Sequence, residues 1–142
     1  MLYLDTSVLV PLFVPEPESS SMRAWFDAQA GETLAISDWT LTEFASAMGI
    51  KVRDKGLKPD QAQKACDLME KLAADSFKVF TPTRSDYGRA TEHLGYHALG
   101  LRAGDALHLA IAQNEDAKYL YTLDRRLIEA ARKLKFKAAS PI

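Results

Sequence analysis

The sequence has a single cysteine, no long apolar run and no paired metal-binding motif. Cys66 excludes an internal disulfide, and its helical spacing with small and apolar neighbours predicts a packed thiol rather than a reactive one. No apolar run approaches the roughly 20 residues that span a bilayer. The opening segment MLYLDTSVLVPLFVPEPE lacks the basic leader and cleavage site of a signal peptide. We therefore expect a cytoplasmic protein with no membrane association.

The charge balance gives no overall indication of a nucleic-acid-binding protein, because 18 basic residues face 19 acidic ones and the net charge is −1. If four of the 19 acids held a metal ion, 15 would remain against the 18 basic residues, leaving the rest of the surface at +3. That surface is compatible with RNA binding. The length of 142 residues and the 47% hydrophobic content predict one compact domain over residues 1–142.

Short β-branched or apolar runs alternate with longer helical stretches along the chain. This alternation predicts an α/β fold with a mainly parallel central sheet of four or five strands and helices on two sides. Each of the first four predicted strands is followed by a helix. The predicted strands are Leu2–Asp5, Thr33–Ser37, Lys78–Thr81, Tyr119–Thr122 and a short fifth at Phe136–Ala138.

Capping and breaking residues predict where the helices begin and end. Ser37 or Asp38 is a suitable N-cap for the first long helix, and Gly56 separates that helix from the next. Thr83 with Asp86 resembles another capped start. The predicted helices are Asp38–Lys55, Pro59–Ala74, one beginning after Thr83, Arg102–Glu115 and Asp124–Lys133.

Two aspartates follow predicted strands. Asp5 ends the first strand, and Asp124 comes just after Tyr119–Thr122. In open α/β sheets the carboxyl ends of strands form the crevice in which ligands bind. Aspartate is also a favoured turn and helix-cap residue, so either one alone is equally well explained as structural.

Two further acids lie on apolar helix faces. Glu43 falls within roughly 40° of Trp39, Ala47 and Ile50 at helical spacing, so its helix should be buried over much of its circumference. Asp105 lies in the apolar run AGDALHLAIA. The helix dipole would favour an aspartate in that first turn whatever the function. A buried carboxylate nevertheless needs a cation, a metal or a proton.

A divalent cation explains why four carboxylates should be placed where side chains converge. Hard cations such as Mg²⁺ or Mn²⁺ prefer carboxylate oxygens, and the chain has no CxxC or HExxH arrangement for zinc. Such an ion can activate a water and neutralise charge on a phosphate during phosphodiester cleavage. The chemistry then requires no protein nucleophile.

Four blocks of the sequence, in this order and spacing, carry a family resemblance: LDTSVLV, SDWTLTEFASAM, LRAGDALHLAIA and LYTLDRRL. Over essentially its whole length the chain resembles the PIN-domain nucleases and, within them, the VapC-like toxins of VapBC type II toxin–antitoxin systems. The resemblance implies a PIN-like three-layer α/β/α sandwich. It also implies a catalytic, metal-binding site of Asp5, Glu43, Asp105 and Asp124, with Asp5 and Asp105 as the direct ligands of Mg²⁺ or Mn²⁺. Glu43 and Asp124 would then bind the same ion, a bound water or a second, more weakly held ion.

Three hydroxyl residues and two arginines lie near the acids within the family motifs. The resemblance implies that one or more of Thr6, Ser7 and Thr122 orients an acid or a water, while a capping role for Ser7 is an equal alternative. Arg102 and Arg125 could bind phosphate, be solvated or form structural ion pairs. His108 lies three residues after Asp105, but its apolar neighbours Leu109 and Ala112 favour a packed, non-catalytic histidine.

The resemblance further implies an RNA substrate, a VapB-like antitoxin, a homodimer and, with the antitoxin, a heterotetramer or larger assembly. The helices on either side of Gly56 could form an apolar groove for an antitoxin tail, although an ordinary core explains the same pattern. The alternatives are a PIN-like module that binds RNA or a partner without cutting, a PIN nuclease outside a toxin–antitoxin pair, and a DNA-specific nuclease.

Two other families with an acid after the first strand do not fit. A haloacid-dehalogenase-type phosphatase needs a second aspartate where this chain has Ser7. A receiver domain needs an aspartate at the end of its third strand, and the stretch Lys78–Thr81 ends in threonine.

Overall fold

Five short strands form one sheet in the computed structural model, which describes residues 1–142. The strand order is β3-β2-β1-β4-β5, and all four pairings are parallel. Tyr3 in the central strand pairs with Ala35 on one side and Leu120 on the other. The strands are β1 (Leu2–Leu4), β2 (Leu34–Ser37), β3 (Lys78–Phe80), β4 (Tyr119–Tyr121) and β5 (Ala138–Ala139).

Helices cover both faces of this sheet. Neighbouring residues of a strand point to opposite faces, so they contribute to different cores. Tyr3 joins a core with the last three helices, whereas Leu4 joins a second core with the first four. All of β1 is buried as a result. The helices are α1 (Thr6–Phe13), α2 (Ser19–Asp27), α3 (Asp38–Arg53), α4 (Pro59–Ser76), α5 (Arg84–Gly95), α6 (Ala103–Asn114) and α7 (Arg125–Lys133), with a 3-10 turn at His97–Leu99.

The predicted α/β sandwich with a parallel sheet is confirmed, and the first four strands lie within one residue of their predicted limits. The fifth strand is shifted to Ala138–Ala139. Thr83 caps α5 as predicted, accepting a hydrogen bond from the Asp86 backbone N–H at 3.3 Å. None of the seven helices combines the length and apolar character that a membrane span requires.

The prediction that α3 is buried over much of its circumference is wrong. Only Thr40, Phe44 and Met48 are buried, and Ile50, expected on an apolar stripe, is 47% exposed. α3 packs against α4 and α1 along part of its surface, and the rest of the helix is exposed. Glu43 is therefore half-buried at the border of the covered face.

The strand order brings the carboxyl ends of β1 and β4 together at the centre of the sheet. The Asp5 backbone N–H donates to the Tyr121 carbonyl at 3.0 Å, which joins the segments that follow these two strands. Chain connections leave this point in opposite directions, so a crevice opens above it. The residues that follow β1 and β4 consequently face a shared space.

Candidate active site

A cleft of about 310 Å³ opens at the carboxyl ends of β1 and β4. The structure brings all four acids singled out from the sequence to this one cleft, although they come from four separate parts of the chain. Their role as a site remains a prediction, while their proximity is a feature of the fold. The cleft is lined by Asp5, Thr6, Ser7, Val10, Glu43, Ser46, Ala47, Asp105 and Asp124.

Asp5 is buried and held by two hydroxyl groups. Its Oδ2 accepts hydrogen bonds of 2.6 Å from both Ser7 Oγ and Thr122 Oγ1. Each hydroxyl also accepts from a backbone N–H of the segment after β4, Leu123 N to Ser7 at 2.9 Å and Asp124 N to Thr122 at 3.0 Å. This arrangement fixes Oδ2 and leaves Oδ1 without a bond to either hydroxyl group. The capping alternative for Ser7 is wrong, because Asp5 precedes α1 and Ser7 bonds to groups outside that helix.

Glu43 is held by a hydroxyl group and an imidazole. Its Oε2 accepts hydrogen bonds of 2.6 Å from Thr6 Oγ1 and from His108 Nε2. Burial raises the pKa of this carboxyl, but the hydrogen bond and charge of His108, the Thr6 hydroxyl and the Trp39 indole outweigh burial and leave the pKa below its usual value. Glu43 is therefore ionised at neutral pH.

His108 was expected to be a packed histidine, and it is fully buried. Its partners, however, belong to the cleft, because Nε2 lies 2.6 Å from Glu43 Oε2 and 3.4 Å from Asp5 Oδ1. Burial lowers its pKa, but the Tyr3 hydroxyl, Glu43 and Asp5 together raise it to about 10. Sequence reasoning underrated this residue, although its spacing of three from Asp105 placed both on neighbouring faces of one helix.

Asp105 and Asp124 complete the acidic lining. Burial, followed by the negative charges of Asp5 and Asp124, raises the pKa of the half-buried Asp105 carboxyl, against smaller opposing effects of His108 and the Arg102 backbone. Asp124 caps α7, and its Oδ1 accepts from the Arg126 backbone N–H at 2.8 Å. The raised pKa of Asp105 shows that like charges in the cleft are not fully compensated.

No lysine or arginine forms an ion pair with any of the four acids. The only such pairs in the structure are Lys51 with Glu16 and Lys118 with Glu32. Arg102 and Arg125 are exposed and unpaired, so the structural ion-pair alternative for them is wrong. Their side chains remain free for solvent or for an anion.

Gly104 provides the space that Glu43 occupies. A Cβ atom built at Gly104 would lie 2.5 Å from Glu43 Oε1 and 3.4 Å from Trp39 Nε1, which is buried without a hydrogen-bond partner. Any side chain at this position would therefore displace the Glu43 carboxylate. The sequence singled out Asp105 but not the preceding glycine, whose importance arises only when α3 meets α6.

The cleft fits a hard divalent cation by the chemistry of its donors. One ligand atom each from Asp5, Glu43 and His108 can be chosen so that all lie within 4.8 Å of one another, and Asp105 and Asp124 line the same space. Carboxylate oxygens are the ligands that Mg²⁺ and Mn²⁺ prefer. Burial and the neighbouring Asp5 and Asp124 carboxylates disfavour the ionised form of Asp105 and raise its pKa, and a bound cation would favour that form.

Comparisons with known proteins agree with this fold. The PIN domain family model matches residues 2–133. Ribonuclease VapC47 of Mycobacterium tuberculosis is 32% identical over 99% of this chain and 97% of its own length. The crystal structure of M. tuberculosis VapC20, described as a sarcin-ricin loop cleaving toxin, has a TM-score of 0.74 at 15% identity and covers 92% of this chain and 95% of its own. VapBC2 from Rickettsia felis, bound to a promoter DNA fragment, has a TM-score of 0.72 at 23% identity. The match covers 99% of this chain and 98% of the other.

Proposed function

The chain belongs to the PIN domain family, and on that basis we propose that it is a divalent-metal-dependent endoribonuclease of the VapC toxin type. One observation supports the proposal most strongly: Asp5, Glu43, Asp105 and Asp124 line one cleft with no lysine or arginine paired to them. His108 lies beside Glu43 and Asp5, but Asp105 and Asp124 have no such partner, and an acidic cluster of this kind is costly for a fold unless a cation compensates it. These four acids are the proposed site, and they belong to one PIN domain over residues 1–142.

Asp5 and Asp105 are the proposed direct ligands of Mg²⁺ or of Mn²⁺ as its substitute. When bound, the cation would activate a water and neutralise charge on the phosphate that is cut. The chain itself contributes orientation: Ser7 and Thr122 hold Asp5 Oδ2, and Thr6 holds Glu43 Oε2. These hydroxyls leave the remaining carboxylate oxygens free for the cleft.

Arg102 and Arg125 are proposed contacts for the RNA backbone. Each is exposed, lies within three residues of a cleft acid and forms no ion pair. Guanidinium groups match phosphate oxygens in geometry and charge. They would hold a strand beside the acids without reading its sequence.

A VapB-like antitoxin is the proposed regulator, with a homodimer as the toxin unit and a heterotetramer or larger complex with antitoxin. Solved structures that share this fold include VapBC2 from Rickettsia felis and a toxin–antitoxin complex from Klebsiella pneumoniae. One pocket lies between α3 and α4, the helices on either side of Gly56, and a second, between α1 and α4, is lined in part by Phe13, Val14, Leu57 and Leu68. Either could bind an amphipathic partner segment. Leu68 is 48% exposed in the isolated chain.

Removal and return of metal test the proposed activity. Purified protein should cleave bulk RNA in MgCl₂, lose the activity in EDTA and regain it when Mg²⁺ or Mn²⁺ is added in excess, because no protein nucleophile replaces the ion. Single-stranded DNA of matched length is the control polymer and should remain intact. Cleavage that continues in EDTA, or cleavage of DNA alone, would contradict the proposal.

A further inference from the structure

We propose that His108 is a positioning residue for Glu43: its Nε2–H donor fixes the carboxylate that the cleft presents to a cation. This inference rests on the proposed function, because it assigns a role within the same cleft. It concerns a buried group that the metal chemistry itself does not use. It also accounts for a hydrogen-bond chain that runs beneath the acids.

The contacts of the imidazole define its orientation on both sides. Nδ1 lies 3.1 Å from the Tyr3 hydroxyl, which in turn lies 2.8 Å from Ser37 Oγ. Nε2 lies 2.6 Å from Glu43 Oε2. The ring is therefore held from β1 and β2 on one side and directed at the cleft on the other. Carboxylates that bind a metal are commonly held by hydrogen-bonded partners of this kind.

Nε2 is the donor in this contact. A carboxylate oxygen is only an acceptor, so a separation of 2.6 Å requires that Nε2 carries the hydrogen. This holds for the neutral Nε2–H tautomer and for the imidazolium. A nitrogen that carries hydrogen has no lone pair for a metal, so His108 acts through Glu43 rather than as a ligand.

The position of Glu43 depends on this donor because few other groups hold it. Thr6 is the other side chain that hydrogen-bonds the carboxylate, at the same Oε2 atom, while the nearby Trp39 Nε1 forms no hydrogen bond. Oε1 occupies the space left by the missing side chain of Gly104, and both hydrogen bonds to the carboxylate go to Oε2. Without the imidazole, the Glu43 side chain, which is 27% exposed, could turn toward solvent.

Metal affinity tests the role through a set of matched variants of the full chain. His108→Leu should lower Mn²⁺ affinity by about 10- to 100-fold, the range typical of groups that orient metal ligands. His108→Gln, which restores an amide donor, should recover most of the loss. His93→Leu is the control, because His93 is also buried and lies outside the cleft. Its Nε2 forms a hydrogen bond of 2.7 Å with Gln113 Oε1. Equal losses in both leucine variants would overturn the proposal.

A double-mutant cycle separates positioning from a general effect on packing. In a Glu43→Ala background the leucine substitution at 108 should cause little additional loss of Mn²⁺ affinity, because no carboxylate remains to be held. An undiminished loss in that background would overturn the proposal. If His108→Leu does not fold, Tyr3→Phe removes only the hydroxyl on the Nδ1 side, and unchanged Mn²⁺ affinity in that variant would count equally against it.

Nuclear magnetic resonance of the unmodified protein tests the donor directly. With ¹⁵N-labelled histidine, Nε2 of His108 should carry its proton both before and after saturation with Mg²⁺. Loss of that proton on Mg²⁺ binding would show direct ligation and overturn the positioning role. These measurements need no RNA, so wild-type protein that binds metal but does not cut RNA would refute the proposed function without deciding this inference.

Discussion

Replacing Asp5 by Asn is expected to reduce Mg²⁺-dependent RNA cleavage by about 10²- to 10³-fold or more, the scale of losing one group that stabilises charge in a transition state. The amide has nearly the shape of the carboxylate, and its oxygen can still accept the hydrogen bonds from Ser7 and Thr122. The fold should therefore persist while the cleft loses a negative ligand. Initial cleavage rates on a labelled RNA, with circular dichroism to check folding, measure the effect.

Asp75→Asn provides the matched control for this substitution. Asp75 is an exposed residue of α4 and takes part in none of the hydrogen bonds or ion pairs of the cleft. Its replacement should leave the cleavage rate within about twofold of wild type, since surface changes of this kind have small effects. Full activity in folded Asp5→Asn protein would show that the cutting occurs elsewhere or by a contaminant.

Replacing Asp105 by Asn should remove activity yet stabilise the metal-free protein. The pKa of Asp105 is raised by burial and by the charges of Asp5 and Asp124, so its ionised form destabilises the folded state. The stability linked to this group is greatest below the unfolded pKa and is lost as the pH rises through the raised folded value. At pH 7 in EDTA, the neutral amide should raise Tm by about 2–4 °C, roughly 1 kcal/mol for a chain of this size.

Saturating Mg²⁺ should reverse the order of stability of wild type and the Asp105→Asn variant. Wild type gains binding free energy from the cation, whereas the Asn variant has lost a ligand, so wild type should then melt at the higher temperature. Thermal unfolding followed by circular dichroism with EDTA and with Mg²⁺ measures both cases. A variant that is less stable than wild type in EDTA would show that Asp105 is a structural group rather than a strained functional one.

The positions of Asp5 and Asp124 could be predicted because they follow strands. Parallel strands buried on both faces produce short apolar runs, and the carboxyl ends of such strands meet at one edge. Thr122 came from the family resemblance, as a residue that orients an acid or a water, and the structure shows its hydrogen bond to Asp5. Local sequence therefore specifies which residues reach this edge.

The contact between His108 and Glu43 could not be predicted in the same way. α6 is buried continuously from Ala106 to Ala112, so its apolar pattern does not indicate which side faces the cleft. The apolar pattern of α3 was misleading, because Ile50 is exposed while Glu43 lies at the edge of the packed face. Contacts of this kind depend on how two helices meet, and no local pattern encodes that.

Crystals of the protein soaked in Mn²⁺ give the most direct test of the central claim, that four acids from separate parts of the chain form one divalent-cation site. Anomalous diffraction should show a peak in the cleft, within ligand distance of Asp5 and Asp105 and bordered by Glu43 and Asp124. A soaked crystal with no peak between these carboxylates, or with its only peak at another place on the chain, would contradict the account.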